Sequence, residues 1–212
     1  MEDKTRMNNI KHSLLRIAGV CSILAPLLLL VADIMQIVGG PGFEGTVVMW
    51  VSFVLFVPAI FGLSYLAIAE GSRLAFAGGA SAYFGAMAGA SMQVMFRVRA
   101  VLVEAGSTQA VELMRGSRKL FVTTQMIGIF FPLGLLILAF SLYRSGVVSP
   151  LIALSLAAGA ILFPMGRIAG LLIGLIGGDL MLIIAFGVIG SRLLAAGSDE
   201  LKRADVVQAQ TG

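Results

Sequence analysis

Residues 81–97 read SAYFGAMAGASMQVMFR, and their spacing decides what kind of object this chain builds. Ser81, Gly85, Gly89, Gln93 and Arg97 recur at four-residue steps, which on an α-helix stacks them in one slowly rotating row. The row opens with small residues, which admit the backbone of a neighbouring helix, and closes with an amide and a guanidinium. It is embedded in apolar sequence, so it reads as a membrane helix that packs at one end and carries polar side chains at the other.

The composition around it agrees. Of 212 residues, 58% are hydrophobic and 12% charged, and the mean hydropathy is +1.00. A soluble domain carries about 25% charged residues and could not cover this much apolar surface, so the solvent is lipid. The net charge of +4 is spread over loops and helix flanks, which suits topology control and anionic headgroups and excludes a nucleic-acid partner. A single cysteine, Cys21, excludes an intrachain disulfide.

Charges punctuate the chain almost regularly. Between Glu44 and Glu70 lie 25 uncharged residues, between Arg73 and Arg97 23, between Lys119 and Arg144 24, and between Arg144 and Arg167 22. The last segment, between Arg167 and Arg192, has Asp179 alone inside it; the first carries Arg16 near its start and Asp33 near its end. About 20 apolar residues cross the hydrocarbon core, and a backbone there must satisfy itself, so each segment is one helical crossing. The expectation is an all-α polytopic bundle of six transmembrane helices, over about 14–38, 47–69, 74–102, 120–143, 148–166 and 169–191. Residues 1–196 form the membrane domain and 197–212 a polar cytoplasmic tail with a short helix fading into disorder. The basic N-terminus precedes an apolar run too long for a signal-peptide core, so it stays attached as the first span.

Connections are short. GGPGFEG (39–45) is a glycine- and proline-rich turn, lacking the lysine and serine or threonine of a phosphate-binding loop. The longer stretch between the third and fourth helices contains STQAVELMRGS, which suits a short interfacial helix started by Ser107 or Thr108. Pro26 and Pro58 recur 106 residues later as Pro132 and Pro164, the pattern of a 3+3 inverted repeat.

Helix rise assigns depths. Asp33 and Gln36 lie near the far end of the first helix, Gln93 and Arg97 near that end of the third, Gln125 opens the fourth from the same side, and Arg167 sits between the fifth and sixth. With Arg99 these residues form a candidate polar vestibule, in which Asp33 opposes Arg97 or Arg99; the alternative is interfacial snorkelling around one structural ion pair. Asp179, near the middle of the sixth helix, needs a proton or a donor, and Tyr83 is the expected partner. Small residues at Ser81, Gly85 and Gly89, and at Gly170, Gly174 and Gly178, are expected to pack helices. Enzyme signatures are absent: the only histidine, His12, precedes the apolar core, and no lysine lies within a helix. Met92 and Met95 with remote Cys21 make an incomplete copper site, so neither metal nor cofactor is expected.

RIAGVCSILAPLLLLVAD (16–33), the apolar hairpin after it and FRVRAVLVEAG (96–106) together resemble small six-helix bacterial integral membrane proteins of unknown function. The resemblance implies a bacterial inner membrane and brings no catalytic residues. The functional expectation is a small transporter or permease-like protein for an anionic or zwitterionic solute. The rival is a non-catalytic scaffold or regulatory subunit, with lipid and further copies of the chain as partners through its small-residue faces.

Nine of the fifteen basic residues, including Lys4, Arg6, Lys11, Arg16, Lys202 and Arg203, fall on the N-terminal side, which favours cytoplasmic N- and C-termini. The third loop runs against that bias, with Arg97, Arg99, Arg115, Arg118 and Lys119 on the far side. Alkaline phosphatase fused after Gly212 should be inactive and a fusion near Ser107 active; the reverse pattern would invert every depth above.

Overall fold

Hydrocarbon offers a peptide no hydrogen-bond partner, and the chain answers with helices throughout its apolar segments. The computed structural model describes the backbone over residues 2–39 and 43–211 and side chains over 10–39 and 44–196. Its elements are α1 (Glu2–Gly39), α2 (Phe43–Ala69), α3 (Leu74–Glu104), α4 (Thr108–Gly116), α5 (Arg118–Phe121), a π-helical segment (Val122–Met126), α6 (Phe130–Arg144), α7 (Pro150–Ala169) and α8 (Leu172–Thr211). Six stretches are long and apolar enough to cross a membrane: Ile10–Gly39, Glu44–Ala69, Leu74–Glu104, Arg118–Arg144, Pro150–Ala169 and Leu172–Ala196. The protein is an all-α, multi-pass membrane bundle.

Each span packs on its neighbours in the chain, α1 on α2, α2 on α3, α3 on α6, α6 on α7 and α7 on α8, and α8 returns to α1. The result is a ring closed by its first and last helices. Aromatic rings fill its middle: Phe56 of α2 stands edge-on to Phe131 of α6 at 5.1 Å and to Phe186 of α8 at 5.2 Å, and Phe131 meets Phe163 of α7 at 6.0 Å. Edge-to-face pairs add about 0.5–1.5 kcal/mol beyond burial, a useful increment where lipid removes most of the hydrophobic drive between helices. Outward-facing Phe76, Phe84, Leu154 and Ile173 form the apolar surface that lipid solvates.

Small residues set the helix spacing. A Cβ on Gly85 would land on the backbone of Phe131, and one on Gly134 on the backbone of Ala82, so α3 and α6 touch main chain to main chain. Ser81 donates its hydroxyl to the Phe130 carbonyl across the same seam at 3.0 Å. One turn beyond Gly85, Gly89 accepts the ring of Phe53 from α2. In α8, Gly178 lies against Phe163 and Gly174 against Gly166, which joins α8 to α7. Gly170 departs from the expectation of a packing residue. It has φ +66° and nothing near its missing side chain, and it closes α7 in a left-handed cap while the Leu171 N–H donates to the Gly166 carbonyl at 2.9 Å.

Three further points differ in detail. The fourth span is broken, since Pro132 has no N–H to give the Gly128 carbonyl; the chain N-terminal to it relaxes into the π turn and a break before α6. The first span, its counterpart in the proposed repeat, runs on through Pro26. The tail continues α8 to Thr211 instead of starting a separate helix, because residues 199–211 are mostly good helix formers with no proline. The turn assigned to 39–45 lies partly outside the described residues, and its last three residues belong to α2. As expected of STQAVELMRGS, α4 is a short helix with Ser107 at its N-cap position.

Gly85→Ala and Gly134→Ala should each lower the melting temperature in detergent, by the ~1–3 kcal/mol typical of overpacking. Gly187→Ala, where a Cβ meets nothing within 4 Å, should leave it unchanged or raise it slightly. Equal behaviour of the three would rule out the backbone-to-backbone seam.

Candidate functional site

Three helix ends meet where the ring closes. Asp33 lies six residues before the end of α1 and Asp179 seven residues after the start of α8, so at ~1.5 Å per residue both sit roughly 9–11 Å below the same rim. Arg167, two residues before the end of α7, is nearer the rim, and its long side chain reaches down to them. Arg167 Nη2 donates to Asp33 Oδ2 at 2.5 Å, with Asp33 only 2% exposed. Asp179 is fully buried beside this pair, within electrostatic reach of both Asp33 and Arg167. Ionised, Asp179 has no donor for either oxygen, but it lies within hydrogen-bonding reach of Asp33, so that one proton can be shared between the two carboxyls.

The rest of the shell is soft. The guanidinium of Arg167 lies over the face of Phe163, 4.4 Å from the ring centroid, a cation–π contact that strengthens with desolvation. Its Nη1 points at the sulfur of Met49 at 3.5 Å, and the same sulfur takes Gln36 Nε2 at 3.8 Å. Arg167 Nε is buried without a partner. Two acids and one base thus occupy a space lined by a ring, a thioether and an amide. With all three ionised the cluster carries one negative charge, and one bound proton makes it neutral.

This arrangement redistributes the expected vestibule. Asp33 pairs with Arg167 and not with Arg97 or Arg99, because α1 is flanked in the ring by α2 and α8 while α3 lies on the other side of α2. Arg97 instead approaches Glu104 of its own helix, at 3.9 Å. Gln93 is buried at a separate groove between α2 and α3, shared with Arg97, Thr46 and Trp50. Arg99 and Gln125 line a third cleft. Asp179 does not meet Tyr83, since α3 packs on α2 and α6 whereas α8 packs on α1 and α7; the Tyr83 ring sits against Phe61 and Phe84. Met49 gave no sign in the sequence, where it is one of eleven methionines. The place of Asp179 in the cluster was half legible: Arg167 and Asp179 flank the Gly170 turn of a helical hairpin, which brings them to one end.

No protein-family model, curated protein or solved structure matches the chain.

Arg167→Gln should destabilise by up to ~3–5 kcal/mol if the site is dry, since it leaves two buried carboxyls without their cation, and Asp33→Asn should cost less because Asp179 stays within reach of Arg167. The double variant should recover much of that loss, whereas Asp33→Asn with Arg97→Gln should be additive. Thermal melts of the set in one detergent measure the coupling, and additivity in the first pair would dissolve the site.

Proposed function

We propose that this protein is a small, non-enzymatic transport protein of a bacterial cytoplasmic membrane, with both termini cytoplasmic and Asp33, Arg167 and Asp179 as its binding centre. The observation that carries the reading is the second acid: Asp33 already neutralises Arg167, yet Asp179 is fully buried next to them, within hydrogen-bonding reach of Asp33. A structural ion pair has no need of the second acid. Ionisable groups inside a membrane bundle are costly, and carriers keep them where a proton or a charged solute is to be bound.

The chemistry favours a zwitterion among the solute classes. Its ammonium group would complete Asp179, and its carboxylate would compete with Asp33 for the two-pronged guanidinium of Arg167. Release of the proton that neutralises the empty cluster would couple solute entry to proton movement. Support for cytoplasmic termini comes from the basic flank of α1, and support for a bacterial membrane from the resemblance carried by residues 16–33 and 96–106. The scaffold reading has less behind it, because Gly85, Gly89, Gly174 and Gly178 face other helices of the same bundle and are covered within it.

The test uses proteoliposomes loaded with a pH-sensitive dye. Adding a pool of amino acids and betaines should change the internal pH for the parent protein and not for Asp179→Asn, whose melting temperature should hold because a neutral amide replaces the surplus charge. A silent parent, or an Asp179→Asn variant with full activity, would sink the transport reading.

A further inference from the structure

The third connection carries five basic residues at the end of the bundle opposite residue 10, and they are not used alike. Arg97 faces Glu104. Arg99 and Arg115 form no ion pair among the described residues, yet both line one cleft of about 120 Å³ between α3, α4 and the start of the fourth span. Ser117 and Gln125 complete its polar lining, and Met95 and Phe121 supply an apolar wall. Two features of the local fold build this cleft. Ser117 ends α4 and caps α5, its oxygen accepting the Leu120 N–H at 3.4 Å, so its hydroxyl proton is left to donate. Gln125 lies in the π segment, where the wider turn shifts side chains from the register an α-helix would give them.

We propose that this cleft binds a phosphate group, that of an anionic phospholipid headgroup or of a free phosphate. Its polar lining is made of donors: two guanidinium forks suited to bidentate contact with phosphate oxygens, an amide and a hydroxyl. No carboxylate lines the cleft to compete with an anion. Its position suits a headgroup, since Arg99 lies five residues before the end of α3, in the polar margin of the membrane. The apolar wall suits the glycerol and upper acyl carbons attached to such a phosphate. An anion held here also accounts for arginines placed against the distribution of basic residues in the other loops.

The experiment measures the melting temperature of the full chain in a neutral maltoside detergent, with dioleoylphosphatidylglycerol, dioleoylglycerol or inorganic phosphate added. Near five times the Kd, phosphatidylglycerol should raise Tm by ~2–4 °C, and by more as its concentration rises. The shift should be lost in Arg115→Gln, on the exposed surface of α4, and in Arg99→Gln, and kept in Arg118→Gln, which removes the same charge from the same loop outside the cleft. A shift with phosphatidylglycerol but not with inorganic phosphate identifies a lipid headgroup. An equal shift with inorganic phosphate identifies the free ion. The proposal is overturned if no phosphate compound shifts Tm, if dioleoylglycerol does as well as phosphatidylglycerol, or if Arg118→Gln loses as much as Arg115→Gln.

Discussion

A charge buried among helices in lipid must find its counter-charge inside the protein, and this bundle supplies one by closing its ring. Arg167 and Asp33 are 134 residues apart in sequence and meet only because α8 returns to α1, carrying α7 alongside. The closure rests on small residues: a Cβ on Gly19 or Gly190 would strike the opposite helix, so α1 and α8 meet at a separation that larger residues would prevent. Open that seam, and Asp33 would lose the arginine it pairs with, while Arg167 and Asp179 stayed on the α7–α8 hairpin. The ion pair and the seam are therefore one design, in which close packing keeps the charges dry and the charges make loss of packing costly.

Among the described residues both buried acids, Asp33 and Asp179, lie toward one end of the bundle. The span ends at that rim carry Asp33, Gln36, Arg97, Arg99, Gln125 and Arg167, while the middle of the ring is aromatic and sealed by Phe56, Phe131 and Phe186. The charged centre sits just above this plug. The fourth span, which carries Phe131, departs from regular α-helix just before it, in the π turn and the break ahead of α6.

The small-residue rows illustrate how one sequence feature has several structural uses. Gly85 and Gly134 bring two backbones together, Gly89 makes room for a ring, and Gly170 ends a helix with a positive φ. A four-residue step in sequence identifies a face of a helix. What lies against that face is a property of its neighbour.

Number, length and depth were legible in the sequence because each is local. Hydrocarbon thickness sets how many apolar residues make a crossing, so the charges that interrupt them counted the helices and placed their ends within a few residues; the same counting put Asp33, Arg97 and Arg167 in one layer. Partner choice was not legible. Depth gives a residue's height along its helix but not which helices flank it or the direction it faces, and three arginines stood at the right height for Asp33. Only the ring order, with α8 beside α1 and α3 beyond α2, gave Asp33 to Arg167, brought Asp179 to the same pair and left Tyr83 among phenylalanines. That order is set by which helix surfaces interdigitate over long sequence separations, a quantity no window of residues contains.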